Sequence, residues 1–163
     1  MLTKRIASRF YPSLGVSSLS ASTLKSGDIL KKERIFSSSD VIEYSKLSHD
    51  SNPLHFDLKY AQNAGFEDRL VPGMLVASLF PRIIASHFPG AVYVSQKLQF
   101  RSPVYIGEVI IGEVQATNIR AIKNQYLAQF KTKCFKQGDH VVIHGEATAI
   151  LPTLAKEQGQ SMG

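Results

Sequence analysis

The chain has 163 residues, 44% of them hydrophobic and 20% charged, which suits one ordinary globular domain and leaves no room for two full-sized ones. No apolar run approaches the ~18–20 residues that a membrane-crossing helix needs, and the single cysteine, Cys134, excludes an intrachain disulfide or a cysteine-built metal site. A net charge of +6 invites a nucleic-acid partner, but Lys4, Arg5, Arg9 and Lys25 all precede the first acid, Asp28, and without these four the body holds 15 cations against 13 acids.

Residues 1–25 are basic, serine-rich and free of acids, and lack the continuous apolar stretch of about 7–15 residues that a secretory signal requires. Leu2, Ile6 and Phe10 recur at helical spacing beside Lys4, Arg5 and Arg9, which permits a short amphipathic helix before Pro12. This is the composition of a transit peptide. The mitochondrial matrix is the first expected destination and a plastid the second; the plain alternative is an unaddressed tail. Cleavage is expected within the span 11–25, and residues 153–163 read as a C-terminal tail without a peroxisomal ending.

Residues 26–152 read as one domain, with no repeat or low-complexity linker. Ile29 to Phe36 is an extended segment. Ser39 or Asp40 is expected to cap a short helix carrying Val41, Tyr44 and Leu47. His49 to His55 contains Pro53, Asp50 and Asn52 and reads as a loop. Asp57 caps a second short helix through Gln62, closed by Asn63-Ala64-Gly65. Pro72–Phe88 is the most apolar stretch and predicts a buried helix, opened by Pro72 and kinked or broken at Pro81.

From Ala91 the period becomes two. Val92, Val94, Leu98 and Phe100 alternate with polar neighbours, and Val104–Ile119, Gln125–Lys136 and His140–Leu151 are further strands. The order predicts an α+β architecture in which a curved antiparallel sheet wraps a long central helix, with an open edge that favours self-association. Cys134 is read as a small apolar strand residue. Lys131, Lys133 and Lys136 are read as a solvated strand face first and a docking patch for an acidic partner second.

The chemistry-bearing segment is the loop that sets Asp50 five residues before His55, stiffened by Pro53. A carboxylate and an imidazole so placed can share one water, one group acting as base and the other as acid, as addition of water to an enoyl thioester requires. Charge then builds on the thioester oxygen, which wants a fixed N–H donor. The Gly73 amide, free in the first turn of the buried helix, supplies one where the dipole favours negative charge. Gly73 and Asn52 are the candidates for the substrate side of the site, Asn52 by bonding backbone groups and holding the loop. Each feature alone is weak, since an acid and a histidine in a loop are usually capping and surface polarity. His49 and His55 are too few for a metal site, so none is expected. His87, His140 and His144 read as surface or strand-face residues, and Ser78 and Ser95 lack the glycine pattern of a hydrolase nucleophile.

Taken in order, Asp50-x-Asn52-Pro53-Leu54-His55-x-Asp57, Tyr60-Ala61, Phe66, Gly73-Met74-Leu75, Ala77-Ser78-Leu79, Gln99-Phe100-x-x-Pro103-Val104 and Gly107-Glu108 resemble the MaoC-like dehydratases, which include (R)-specific enoyl-CoA hydratases. The resemblance spans roughly residues 28–151. It implies a hot-dog fold, a homodimer, catalysis by Asp50 and His55, the Gly73 amide in the oxyanion site, and no cofactor. Two departures stand out. Many relatives have histidine where Pro72 stands, and some bacterial hydratases carry a serine supporting the catalytic acid near Pro81.

Joined to the leader, the resemblance implies dehydration of (R)-3-hydroxyacyl-acyl carrier protein to the trans-2-enoyl thioester in mitochondrial type II fatty acid synthesis. An (R)-specific enoyl-CoA hydratase is the first alternative. A hot-dog thioesterase and a non-catalytic acyl-carrier-binding subunit follow. The expected partners are an acyl carrier protein or CoA thioester and a second copy of the chain, with no nucleic acid and no membrane span.

Overall fold

The two-residue period after Ala91 becomes an antiparallel sheet in the computed structural model, which describes residues 22–157. The amphipathic segment expected over Leu2–Phe10 and the last residues of the tail lie outside the described residues. Five strands, β1 (Ile29–Ile35), β2 (Val92–Phe100), β3 (Val109–Ile122), β4 (Gln125–Lys136) and β5 (His140–Leu151), pair in the order β1-β3-β4-β5-β2. β3 and β4 are joined through Lys123-Asn124, and β4 and β5 through Gln137-Gly138-Asp139; Lys123, Gly138 and Asp139 take the positive φ that such tight turns need.

Four helices complete the fold: α1 (Ser38–Ser48), α2 (Leu58–Asn63), α3 (Gly73–Ala77) and α4 (Leu79–His87). α4 lies against β1 and β3 and buries Leu79, Phe80, Ile83 and Ile84, each 2% exposed or less. Burial of each such side chain contributes roughly 1.5–3 kcal/mol, so this helix is the hub of the core. Its close approach depends on Gly112 of β3, where a Cβ would stand 3.1 Å from Ile83 Cδ1 and 3.2 Å from Leu79 Cβ. The result is the hot-dog arrangement expected of the α+β pattern.

The central helix is not continuous. It breaks at Ser78, between α3 and α4, because Pro81 has no N–H to donate to the Ala77 carbonyl. Pro72 caps α3 instead of opening its first turn. The strand expected from Val104 begins only at Val109. Gly107, with φ of 89°, and a bond from the Glu108 N–H to the Tyr105 carbonyl turn the chain first. Val104 and Tyr105 are spent on holding Val71 and Leu70.

β2 also departs from its expected alternation. Its register against β5 shifts between Tyr93 and Ser95, and Val92, Val94 and Phe100 are all more than half exposed. Of its four expected inward apolar residues, only Leu98 packs against the core. Lys136 is not on a solvated face: its ammonium lies 3.0 Å from Glu108 and donates to the Pro103 carbonyl. Leu24, placed in the leader by composition, is 2% exposed in the core, and Thr23 bridges Ala155 in the expected tail. Asp28 ties the two flanks, accepting from the Lys25 backbone N–H and from Lys156, which together hold its carboxyl below the ordinary range.

The cap of α1 is Ser37, two or three residues earlier than composition suggested, because a reciprocal box forms with Asp40. The Ser37 backbone N–H, more than Arg34, holds the Asp40 carboxyl below its usual 3.8. A folded-state value lower than the unfolded one means that the stabilisation is full above the unfolded value and is lost as pH falls through the folded one. Ser37→Ala is therefore expected to cost about 1 kcal/mol in urea unfolding. The stability gap between wild type and Asp40→Asn should be full near about pH 6 and shrink as the pH is lowered below about 4; a gap independent of pH would refute the box's charge role.

Candidate active site

The dyad loop is built by the end of α1. His49 adopts the left-handed conformation (φ 60°) as the C-cap, and the chain leaves the helix axis there. Ser45 Oγ donates to the Asp50 carbonyl at 2.6 Å, and Ser48 Oγ accepts from the Asp50 N–H at 3.2 Å. The Asn52 N–H binds Asp50 Oδ1 at 3.1 Å and leaves Oδ2 free. Asn52 Oδ1 in turn accepts from the Leu54 N–H and caps the 3-10 turn Pro53–His55. Asn52 thus braces the loop, as its backbone-bonding role required, and is not among the residues lining the pocket.

The turn carries His55 inward to 9% exposure. Its Nδ1 lies 2.8 Å from the Leu70 carbonyl oxygen. A carbonyl can only accept, so Nδ1 bears a proton, and in the tautomer this bond selects the lone pair stands at Nε2. Nε2 faces Asp50 Oδ2 at 3.6 Å. That exceeds the about 2.7–3.2 Å of a good hydrogen bond, so the two atoms do not share a proton directly and can both reach one third atom between them.

His55 opens into a pocket of about 540 Å³ whose walls are mostly apolar and include Leu70, Val71, Val76 and Phe100. Gly73 lines the same pocket, at the first turn of α3. Its amide has no acceptor among the described residues. Because α3 is only five residues long, the free first-turn amides, Gly73 among them, more than any helix-length dipole, are what the site offers an anion. The expected residues therefore converge: Asp50 and His55 face each other, and the Gly73 amide shares the pocket.

The departures at proline find their meaning here. Pro72 brings no polar side chain, and Ser78 Oγ turns back to the Leu75 carbonyl of its own helix. Support for Asp50 comes from the loop itself: the Asn52 N–H holds its carboxylate, and Ser45 and Ser48 hold its backbone. Four contributors had escaped the sequence. The Leu70 carbonyl is fifteen residues from His55 and leaves no local trace. Ser45 and Ser48 stand at helix-end spacings that favour local side-chain bonds to the backbone, a signal that was available. Phe100 was assigned to the buried face, yet its ring lies over Gly73.

The other candidates are accounted for. His49 is an exposed cap, His87 bonds the Ile83 carbonyl, His140 meets Ser102, and His144 accepts from Arg101. Among the described residues no group of three or more His, Cys, Asp and Glu is gathered for a metal. Cys134 is buried in β4, and burial pushes its thiol up to about 12, which makes it an inert strand residue.

A hot-dog sheet and helix with an acid–imidazole pair beside a helix-start glycine define the hydro-lyases of this fold. The chain matches the MaoC-like domain over residues 21–135 and belongs to that family. It is 60% identical over 157 residues, covering 96% of this chain and 94% of the relative, to the mitochondrial 3-hydroxyacyl-[acyl-carrier-protein] dehydratase FERN of Solanum lycopersicum. It is 62% identical over 136 residues, 83% of this chain and 82% of the relative, to the mitochondrial 3-hydroxyacyl-[acyl-carrier-protein] dehydratase of Arabidopsis thaliana. Among solved structures, the (R)-hydratase from A. caviae involved in PHA biosynthesis superimposes with a TM-score of 0.74 at 35% identity, covering 79% of this chain and 98% of that one.

Gly73 does not have a positive φ; its requirement is steric. A Cβ there would stand 2.7 Å from Phe100 Cε1. Gly73→Ala is expected to displace the Phe100 ring at the pocket wall and lower kcat/KM by about tenfold or more, while Tm moves by only a few degrees because the ring is half exposed. Full activity in this variant would show that the amide needs no close approach.

Proposed function

We propose that this chain removes water from (R)-3-hydroxyacyl thioesters of acyl carrier protein to give trans-2-enoyl thioesters, in mitochondrial type II fatty acid synthesis. The observation that carries this reading is the Asp50 Oδ2–His55 Nε2 approach of 3.6 Å, with His55 opening into the pocket that Gly73 also lines.

The chemistry follows from the free atoms. The His55 Nε2 lone pair takes the C2 proton, the electron pair of that bond becomes the C2–C3 double bond, and the C3–O bond breaks as Asp50 delivers a proton to the departing hydroxyl. Negative charge passing through the thioester oxygen is met by the Gly73 N–H. After turnover His55 holds a proton and Asp50 has lost one, and a water across the gap returns it. Both groups act from one side, so proton and hydroxyl leave the same face of the substrate. No redox cofactor enters, because the thioester itself acidifies C2. His55 is assigned the C2 proton and Asp50 the hydroxyl.

The carrier assignment is supported by the two dehydratases more than half identical to this chain. Their printed names and the acid-free basic leader support mitochondrial import, and the matrix is the compartment proposed. Since Leu24 and Thr23 belong to the packed body, cleavage is placed ahead of residue 22. The open edge of β2, with Val92, Val94 and Phe100 more than half exposed, is proposed as the seam of a homodimer. The A. caviae structure favours one second reading, the same chemistry run as hydration on a CoA thioester.

Asp50→Asn and His55→Ala should each lower turnover by at least ~10²-fold without changing the oligomer, as followed by enoyl absorbance. Near-wild-type rates in either would remove the dyad. Enoyl thioesters offered on both carriers decide the substrate: equal kcat/KM on CoA and on carrier protein would favour the hydratase.

A further inference from the structure

The outer face of the sheet, opposite the core, carries an ordered set of charges. Strand register aligns Lys31, Glu113, Lys133, His144 and Gln99 in one row across the sheet. A second row aligns Gln115, Lys131, Glu146 and Lys97. Between them lies a groove of about 470 Å³. The carboxylates are taken: Glu113 pairs with Lys31 at 3.0 Å, and Glu146 meets Lys97 at 3.7 Å.

Among the described residues, three cations here are left without an anion. Lys131 is exposed and makes no ion pair, and Lys133 lies 4.8 Å over the Phe135 ring. Arg101, just past the end of β2, donates to His144 Nε2 and Gln99 Oε1, both uncharged acceptors. Lys136, which composition grouped with these lysines, is absent from the face because Glu108 holds it.

Their spacing indicates the kind of anion. β2 and β4 are separated by β5, so Arg101 lies on the order of 10 Å from the lysines, and Lys131 and Lys133 are about 7 Å apart along β4. One phosphate needs donors that converge; these do not. They suit an extended acidic surface. The groove and the active pocket approach each other at the end of β2. Gln99 lines the groove, Phe100 covers Gly73, and Arg101 and Ser102 line the pocket that holds His55.

We propose that this groove, with Lys131 and Lys133 as its free charges and Arg101 beyond it at the active pocket, docks an acidic face of the protein that carries the thioester, whose acyl arm then passes over the end of β2 into the pocket. This rests on the reading of the chain as a carrier-protein dehydratase. Bulk charge of this kind acts chiefly on encounter and is screened by salt.

The test is the double variant Lys131→Glu/Lys133→Glu, assayed with a crotonyl group on acyl carrier protein and on CoA. The expected result is a KM raised by about tenfold or more for the carrier-protein substrate at low salt, an unchanged kcat, and unchanged kinetics on the CoA substrate. Added NaCl should raise the wild-type KM for the carrier protein and close the gap to the variant. Equal losses on both substrates, or no loss on either, would overturn the docking face. A wild type equally active on both carriers would also overturn it while leaving the dyad chemistry intact. A wild type inert toward both would instead sink the dehydratase reading itself.

Discussion

The hydrogen bond from His55 Nδ1 to the Leu70 carbonyl is the constraint on which the site depends. It selects one tautomer of the imidazole and aims the bare Nε2 at Asp50. Leu70 is itself fixed from both sides: its N–H reaches the Leu54 carbonyl, and it bridges Tyr105. The chain then runs through Val71, held by Val104, to Pro72 and Gly73. One short backbone path therefore sets the His55 imidazole, the Asp50 loop and the Gly73 amide relative to one another. A shift of that path would misalign all three together.

The core supplies the rigidity. The buried face of α4 lies close on Gly112, and a Cβ on Gly145 would run into the Lys97 carbonyl, so the sheet is tightened at two places by absent side chains. Pro81 breaks the helix at Ser78, and the break lets α3 take its own direction while α4 stays buried. A residue that looks unfavourable for a helix thus serves the site, by freeing the short segment that presents Gly73.

Polarity is divided across the sheet. Its inner side and α3 border a mostly apolar pocket that suits an acyl chain, and its outer side carries the charge rows. β2 borders both, with Phe100 toward the pocket and Gln99 toward the groove. Alternation of side chains along one edge strand is enough to link a hydrophobic site with a charged surface.

Much of this was legible in the chain. Local signals were sufficient for the Asp57 cap, the loop around Asp50, and the limits of β4 and β5, because caps, Asx turns and turn glycines act over a few residues. The motif from Asp50 to His55 also carried the family. The sequence could not show that Val104 would be drawn into holding Val71, or that β2 would slip its register and turn Val92 and Val94 outward, because each depends on partners distant along the chain. Residue types alone determined which groups could act as acid, base and oxyanion donor. The 3.6 Å gap, the tautomer set by Leu70 and the pairing of Glu113 and Glu146 were decided by tertiary packing, since those are distances between segments that only the folded sheet and helix bring together.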